Sequence, residues 1–297
     1  MYYRRKILLM LLEIFGGELS NIHLQKLLFL FCNQEQTTKV YDFIPYKYGC
    51  YSYQSIWDLQ TLQKYGTVTE KEHGWALKQY DPKIFVSVNI IDKVALNFLK
   101  KKYANFTADD LMRETYIEYP YWAINSLKAK KLLNAEQFAN VQKQQPKKTN
   151  TTLFTIGYEG LSIEKYFNKL IVNDVKVLCD VRRNPLSQKI GFSKSALKKV
   201  CESIDIQYVH VPELGIASEK RQNLKTQNDY DLLFAEYEST QLAHQGNYIE
   251  QVFDLLIENK RIALTCFEAS FCQCHRSKVA NAITKLPKWN FELKHLY

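Results

Sequence analysis

The order of apolar and polar positions divides the chain into two regions with different periodicity. In residues 1–145, apolar residues recur every three or four positions, which predicts a series of amphipathic helices. In residues 152–297, short apolar runs alternate with helical patterns, which predicts strands and helices in alternation. We therefore expect an α/β protein. A three-layer α/β domain with a mainly parallel sheet would occupy residues 152–297, preceded by a mainly helical domain at 1–145.

The amino-terminal pattern has the element order of a winged helix. Helices are predicted at 4–15, after Ser20 or Asn21, and after Ser52, and residues 67–77 then form a hairpin. Two or three further helices are predicted, near 91–102, 108–116 and 135–144. Residues 142–151 are polar, contain proline and lack apolar periodicity, so we interpret them as the linker between the two domains.

In the carboxyl-terminal region, each predicted strand is followed directly by residues that could carry chemistry. The strands are 153–156, 175–179, 208–211 and 261–266. The residues that follow them are Tyr158 and Glu159, then Asp180, Arg182 and Arg183, then Glu213, and finally Glu268. If the strands are parallel, these residues meet at one edge of the sheet, where open α/β sheets bind their ligands.

The last of these strands leads into a segment that contains Cys266, Cys274 and His275. Their spacing does not match the paired ligands of a structural zinc site, so we expect no metal and no cofactor. We expect instead the start of a helix, where backbone N–H groups, His275 and Arg276 hold an anion such as phosphate. Arg182 and Arg183 could reach the same anion with their fork geometry.

Composition and charge add two expectations. The chain of 297 residues has 46% hydrophobic and 24% charged residues, and its seven cysteines are scattered, as in a protein with reduced thiols. Residues 1–12 superficially resemble a signal peptide, but Glu13 interrupts the pattern, so we expect a first helix, a cytoplasmic protein and no membrane partner. Residues 1–150 carry 21 Lys or Arg against 14 Asp or Glu, which favours a polyanionic partner.

Two resemblances to known families follow from these motifs. Residues 24–30, the loop Pro45–Gly49 and the helix after Ser52 resemble the Panacea (SocA-like) antitoxin family over about residues 1–140. This resemblance implies a module that binds a protein or a nucleic acid. Aromatic residues such as Tyr46, Tyr48 and Tyr51 could equally pack a small helical core.

The carboxyl-terminal motifs resemble the family called domain of unknown function 488, over about residues 152–285. The segments that carry the resemblance are 155–160, 180–182, 212–215, 266–268 and 274–276. Members of that family often have His-Ser after the first glycine, where this chain has Tyr158-Glu159. The resemblance implies the fold and leaves the reaction open.

The leading functional hypothesis is an enzyme acting on a nucleotide or nucleic acid. Asp180, Glu268 and Glu213 would supply catalytic carboxylates, because two carboxylates in different environments can divide general acid and general base roles. Such a pair suits N-glycosidic or phosphoester hydrolysis, and the lack of an acidic cluster favours glycosidic chemistry. Two alternatives remain at single residues. Cys266 or Cys274 beside His275 could be a thiol nucleophile, and Asp180 could be the structural partner of an arginine.

The second hypothesis belongs to a different class. The basic amino-terminal domain would bind DNA or a protein partner, and the carboxyl-terminal domain would sense a nucleotide without turnover, as in a toxin–antitoxin or phage-defence module. Salt-dependent DNA binding would favour this reading, whereas chemical change of a bound ligand would favour the enzyme. The sequence indicates no oligomeric state.

Overall fold

The computed structural model describes residues 1–34, 36–79, 81–221 and 224–297. The chain forms two compact units, Met1–Gln145 and Pro146–Tyr297. Each unit has its own cluster of buried apolar side chains. Among the described residues, no helix combines the length and the apolar character needed to cross a membrane.

The first unit is mainly helical. Its elements are α1 Tyr3–Ile14, β1 Glu18–Ser20, α2 Asn21–Cys32, β2 Ile44–Tyr46, β3 Gly49–Tyr51, α3 Tyr53–Lys64, β4 Val68–Lys71, β5 Gly74–Leu77, α4 Pro82–Ser87, α5 Ile90–Tyr103, α6 Ala108–Glu118, α7 Ala129–Leu132 and α8 Ala135–Lys143. The hydroxyl groups of Ser20 and Ser52 accept hydrogen bonds from the backbone N–H groups of His23 and Ser55, which fixes the starts of α2 and α3.

The strands of this unit form two small antiparallel sheets. Strands β1, β5 and β4 lie side by side in that order, and β2 pairs with β3. The sequence pattern predicts the β4–β5 hairpin, but it does not predict β1, β2 or β3. Each of these strands has only three residues, too few for an alternation of apolar and polar positions to be recognised.

The second unit alternates strands and helices. Its elements are β6 Thr152–Gly157, α9 Ile163–Val172, β7 Val177–Asp180, α10 Lys194–Ser203, β8 Gln207–His210, α11 Gln227–Glu236, α12 Gly246–Asn259, β9 Arg261–Cys266, α13 His275–Thr284 and β10 Glu292–Leu296. A π-helical segment at Tyr237–Gln241 and a 3-10 turn at Leu242–His244 separate α11 from α12.

Five parallel strands form the sheet of this unit, in the order β10-β6-β9-β7-β8. The expected α/β class and the mainly parallel sheet are therefore confirmed. Strand β10 was not predicted, because its residues are charged or half-buried and lie at the edge of the sheet. Strand β9 is central and is buried along its whole length.

Helices cover both faces of the sheet, and the chain changes face on either side of β9. The Tyr166 hydroxyl of α9 donates to Thr265 Oγ1 at 2.7 Å, which places α9 on the face of Thr265. Apolar residues of α12 and α13 pack against Ile262 and Leu264, which point to the opposite face because side chains alternate along a strand. The connections after β6 and β9 therefore leave toward opposite faces, and such switch points are where α/β sheets form ligand crevices.

Candidate functional site

A pocket of about 570 Å³ lies at the carboxyl edge of the sheet, around the end of β9. Residues that follow three adjacent strands contribute to it: Tyr158 after β6, the segment 182–189 after β7, and Cys266 to Glu268 at the end of β9. His275 at the start of α13 and Arg221 also line the pocket, as do Ile216, Leu224 and Tyr230. The position agrees with the crevice expected from the chain topology.

Two thiols and an imidazole meet at the inner end of this pocket. The ligand atoms of Cys266, Cys274 and His275 all lie within 4.8 Å of one another, and all three residues are buried. Cys266 Sγ lies 3.6 Å from His275 Nδ1. The other ring nitrogen, Nε2, lies 2.8 Å from the carbonyl oxygen of Val181, to which it donates. The imidazole is therefore held with Nδ1 facing the thiol.

Glu268 lies beside these thiols and is paired with an arginine. Its Oε2 atom accepts a hydrogen bond from Cys266 Sγ at 3.4 Å, and its Oε1 atom forms an ion pair with Arg221. The Glu268 side chain is 14% exposed, so it is sheltered yet open to the pocket. A carboxylate in this position can exchange a proton with a bound molecule.

The pKa values of the cluster reflect its burial and its mutual contacts. Burial opposes ionisation of Cys266, but the hydrogen bond with Cys274 and the interaction with His275 outweigh burial and hold the pKa of Cys266 well below its ordinary value. Burial and the neighbouring Cys266 raise the pKa of Cys274 and of Glu268. The same Cys266 raises the pKa of His275 against the effect of burial.

Asp180 and Arg182 form a buried pair of their own. The Asp180 carboxylate accepts from Arg182 Nε at 2.8 Å, from Arg182 Nη2 at 2.5 Å and from the Tyr208 hydroxyl at 2.6 Å. Arg182 Nη1 donates to the Tyr158 hydroxyl at 2.8 Å and to the carbonyl oxygen of Phe192 at 2.9 Å. These contacts occupy the groups that the anion-binding and catalytic hypotheses need, so the geometry favours the structural alternative for Asp180.

The register of the sheet explains why Asp180 does not join Cys266. Asp180 is paired with Thr265, so it points to the same face as Thr265, whereas Cys266 is the next residue and points to the other face. Among the described residues that line the pocket, Asp180 is absent. Two residues at the same edge of a sheet are thus separated by the thickness of the sheet.

Two other predicted site residues support the loop after β9 from outside the pocket. Arg276 Nη1 and Nη2 donate to the carbonyl oxygens of Glu268 and Ala269, at 2.5 and 3.0 Å. Glu159 Oε2 accepts from the backbone N–H of Ala269 at 2.9 Å. The interpretation of Arg276 as an anion holder is therefore corrected, because its terminal nitrogens already bind the protein backbone. Glu213 lies in a 3-10 turn and is not among the described lining residues.

The cations that do face the pocket are only partly those that the sequence indicates. Arg183 lines the pocket, is exposed, and makes one long contact of 3.5 Å to the carbonyl oxygen of Pro212. Arg221 and Lys189 also line it and were not predicted. Both lie in polar stretches without apolar periodicity, so no local pattern marks them. Only the folded chain brings Arg221 to Glu268, and Lys189 Nζ to the carbonyl oxygen of Tyr158 at 2.9 Å.

The spacing argument against a metal does not apply to this site. The spacing rule that excluded zinc applies to ligands supplied by one short hairpin or knuckle. Here Cys266 ends a central strand, while Cys274 and His275 start a helix that packs against that strand. Tertiary structure therefore assembles a Cys-Cys-His set that the local spacing does not reveal.

The comparisons with known proteins bear on the second unit. The sequence model of a family described as a domain of unknown function, DUF488, matches residues 162–283. This match confirms that part of the expected resemblance, and it includes the cluster and Glu268. No curated protein and no solved structure gives a significant match. The antitoxin-like character of residues 1–140 stays a prediction.

Proposed function

We propose that the unit Pro146–Tyr297 is an enzyme that hydrolyses a nucleotide or a nucleic acid, with Glu268 as its general base. The observation that supports this proposal is the convergence of one sheltered carboxylate and several cationic side chains on one pocket. The pocket volume, about 570 Å³, lies within the range of small-molecule sites and suits a mononucleotide or one flipped nucleotide.

The pocket residues divide into two roles in this proposal. Arg183 and Lys189, which line the pocket, hold the phosphate. Arg183 is the better placed, because its guanidinium makes one long contact with the backbone, whereas Lys189 Nζ donates to the carbonyl oxygen of Tyr158 at 2.9 Å. Arg221 holds the Glu268 carboxylate in place by an ion pair. Tyr158, stacked on Phe192 with 4.5 Å between ring centroids, offers an apolar wall beside them.

The reaction requires one water molecule. Glu268 accepts a proton from this water, whose oxygen then forms a bond to the electrophilic atom, either the anomeric carbon of an N-glycosidic bond or a phosphorus. The bond to the leaving group breaks at the same centre, and the leaving group takes up the proton from Glu268. General base catalysis of this kind contributes about 10²- to 10⁴-fold to a rate.

The test is product analysis with a panel of nucleotides and oligonucleotides. Mass spectrometry of incubations with the full chain should detect a hydrolysed product. We expect Glu268→Gln to lower the rate by about 10²- to 10⁴-fold, because the amide cannot accept the proton. Glu213→Gln is the matched control, since Glu213 follows a strand at the same edge but lies outside the described lining of the pocket. Equal rates for wild type and Glu268→Gln would reject the proposal.

The structure offers support for a second candidate role in the first unit. Strands β1, β5 and β4 form a three-stranded antiparallel sheet beside α1, α2 and α3, and we infer from this order of elements that the unit is a winged helix. Together with the basic excess of this unit, which has 19 Lys or Arg against 14 Asp or Glu, this arrangement favours binding to duplex DNA. The first unit would then bring the second unit to its substrate.

A further inference from the structure

We propose that Cys266, Cys274 and His275 bind one Zn²⁺ ion, in a site with three protein ligands whose fourth position faces the pocket. The inference deepens the proposed function, because a metal at this point would act on the same water as Glu268. Its role in the reaction rests on the proposed function, whereas binding of the ion does not.

The ligand atoms have a separation suited to zinc. Tetrahedral zinc with Zn–S of about 2.3 Å and Zn–N of about 2.0–2.1 Å requires sulfur and nitrogen ligands about 3.6 Å apart. Cys266 Sγ and His275 Nδ1 are 3.6 Å apart. Cys274 Sγ completes a triangle in which all distances are within 4.8 Å, so a small movement of one side chain closes the site.

The histidine is oriented as a metal ligand would be. Its Nε2 atom donates to the carbonyl oxygen of Val181 at 2.8 Å, which leaves the lone pair of Nδ1 directed at the two thiols. Histidines that bind metals usually donate their second N–H to a carbonyl or carboxylate in this way. His275 is 1% exposed, so its ring is held by packing as well as by this hydrogen bond.

A strand and a helix hold the ligands of the proposed site in place. Cys266 is the last residue of the central strand β9, and Cys274 is the residue from which α13 starts. Helix α13 packs against both β9 and β6. Cys272, by contrast, is exposed and is outside the cluster. Ligands fixed by a strand and a helix need little rearrangement to bind the ion.

The fourth position faces Glu268. Cys266 and His275 line the pocket, and Cys274 is not among its described lining residues, so we place the fourth ligand on the pocket side, opposite Cys274. Glu268 Oε2 is 3.4 Å from Cys266 Sγ and thus borders this direction. Three protein ligands, a water position and a nearby carboxylate that does not bind the metal are the parts of a hydrolytic zinc site.

In the hydrolysis, zinc would polarise the attacking water without changing the balance of the reaction. The proton of the water passes to Glu268, and its oxygen forms the bond to the substrate as the leaving group departs and takes the proton. The zinc ion, both thiolates and the imidazole are unchanged at the end. No oxidant or reductant is needed.

The experiment measures zinc directly. The full chain is reduced, stripped with a chelator, dialysed against Zn²⁺ and analysed for metal by mass spectrometry, and Co²⁺ is substituted in a parallel sample. We expect one zinc per chain, and a cobalt spectrum with tetrahedral bands and a thiolate charge-transfer band. If the reduced, folded wild type does not bind one zinc per chain, the proposal is wrong. The cluster would then form either a disulfide or a thiolate–imidazolium pair.

Variants identify the ligands. Cys266→Ser, Cys274→Ser and His275→Ala should each lose stoichiometric zinc and change the cobalt spectrum, while the matched control Cys272→Ser should retain both. Circular dichroism checks that each variant is folded. If a variant does not fold, the cobalt spectrum of the wild type alone shows whether thiolates bind the metal. A Cys272→Ser protein that loses zinc, or a folded Cys274→Ser protein that keeps it, contradicts the assigned ligands.

The outcomes separate the metal from the function. Zinc binding in a protein whose turnover does not respond to Glu268→Gln would retain the metal site and reject the general base. A protein without zinc whose turnover depends on Glu268 would retain the proposed function and reject the metal site.

Discussion

At the scale of single residues, the Asp180–Arg182 pair illustrates how a catalytic-looking motif can be part of the scaffold. Asp180 is fully buried and Arg182 is 5% exposed, and each satisfies the other by two hydrogen bonds. Burial acts to lower the pKa of Arg182, but the interaction with Asp180 outweighs burial and raises it, so the guanidinium is charged. The same guanidinium fixes Tyr158, which lines the pocket.

Asp180→Asn should therefore reduce stability. The amide cannot neutralise the buried guanidinium, and breaking such a pair by removing one partner costs about 3–5 kcal/mol. We expect a fall of that size in the opening free energy of β7, measured by hydrogen exchange of its backbone amides in the full chain.

The control for this variant is Glu238→Gln. Glu238 pairs with Lys278, but their side chains are 38% and 29% exposed, so the change should cost less than about 1 kcal/mol. If Asp180→Asn kept β7 as stable as Glu238→Gln does, the pair would not be the scaffold that its geometry indicates.

At the scale of elements, the loop after β9 is held between β6 and α13. Gly157 ends β6 and lies so close to the loop that a Cβ atom added there would be 1.8 Å from the carbonyl oxygen of Glu268. Arg276 binds that same carbonyl from α13, and Glu159 binds the next residue. The position of Glu268 in the pocket thus depends on β6, on the turn that follows β6 and on α13.

Gly157→Ala tests this dependence. The methyl group must displace the backbone of Glu268, and overpacking of this kind costs about 1–3 kcal/mol. We expect reduced stability of the second unit and a loss of turnover larger than the loss of folded protein, since the general base moves. Thermal unfolding and product analysis of the same samples compare the two effects.

Gly246→Ala provides the comparison. No atom lies within 4 Å of a Cβ added at Gly246, which is the first residue of α12. This variant should match or slightly exceed the wild type in stability, because alanine favours a helix over glycine. Equal behaviour of the two alanine variants would show that the close packing at Gly157 does not position Glu268.

The elements also show how far the sequence could be interpreted. Short apolar runs that alternate with helical patterns predicted four of the five parallel strands. The polar residues after these strands indicated the edge of the sheet at which the pocket lies. The pattern could not show on which face of the sheet each of those residues lies. Asp180 and Cys266 point to opposite faces and are therefore separated. Nor could it find Arg221, because its partner Glu268 is distant along the chain and no periodicity connects them.

At the scale of the whole molecule, the division into two units has a measurable consequence. Each unit contains its own buried apolar cluster, as an independently stable domain requires. We expect the fragments Met1–Gln145 and Pro146–Tyr297 each to unfold cooperatively when produced alone, as measured by circular dichroism in urea.

The same fragments locate nucleic-acid binding. If the first unit binds duplex DNA, its affinity should fall steeply between 50 and about 200 mM salt, because each phosphate contact releases counterions. The second fragment serves as the control for non-specific binding, because its net charge is nearly the same: it has 21 Lys or Arg against 17 Asp or Glu, and the first fragment has 19 against 14. If the first fragment folds but shows no salt-dependent binding, the first unit does not bring the protein to DNA. This result would not affect the hydrolase activity proposed for the second unit.

The order of the strands in the second sheet has a consequence for how the protein is made. Strand β6 is the first strand of the unit to leave the ribosome, yet both of its neighbours, β9 and β10, are the last two. At a synthesis rate of about 5–20 residues per second, β9 is synthesised on the order of 5–20 seconds after β6, so β6 lacks its central neighbour for that time. The first unit has every element it needs by then. Chaperones that shield nascent apolar segments should therefore engage the chain through β6, and a slow codon between β8 and β9 would lengthen that exposure.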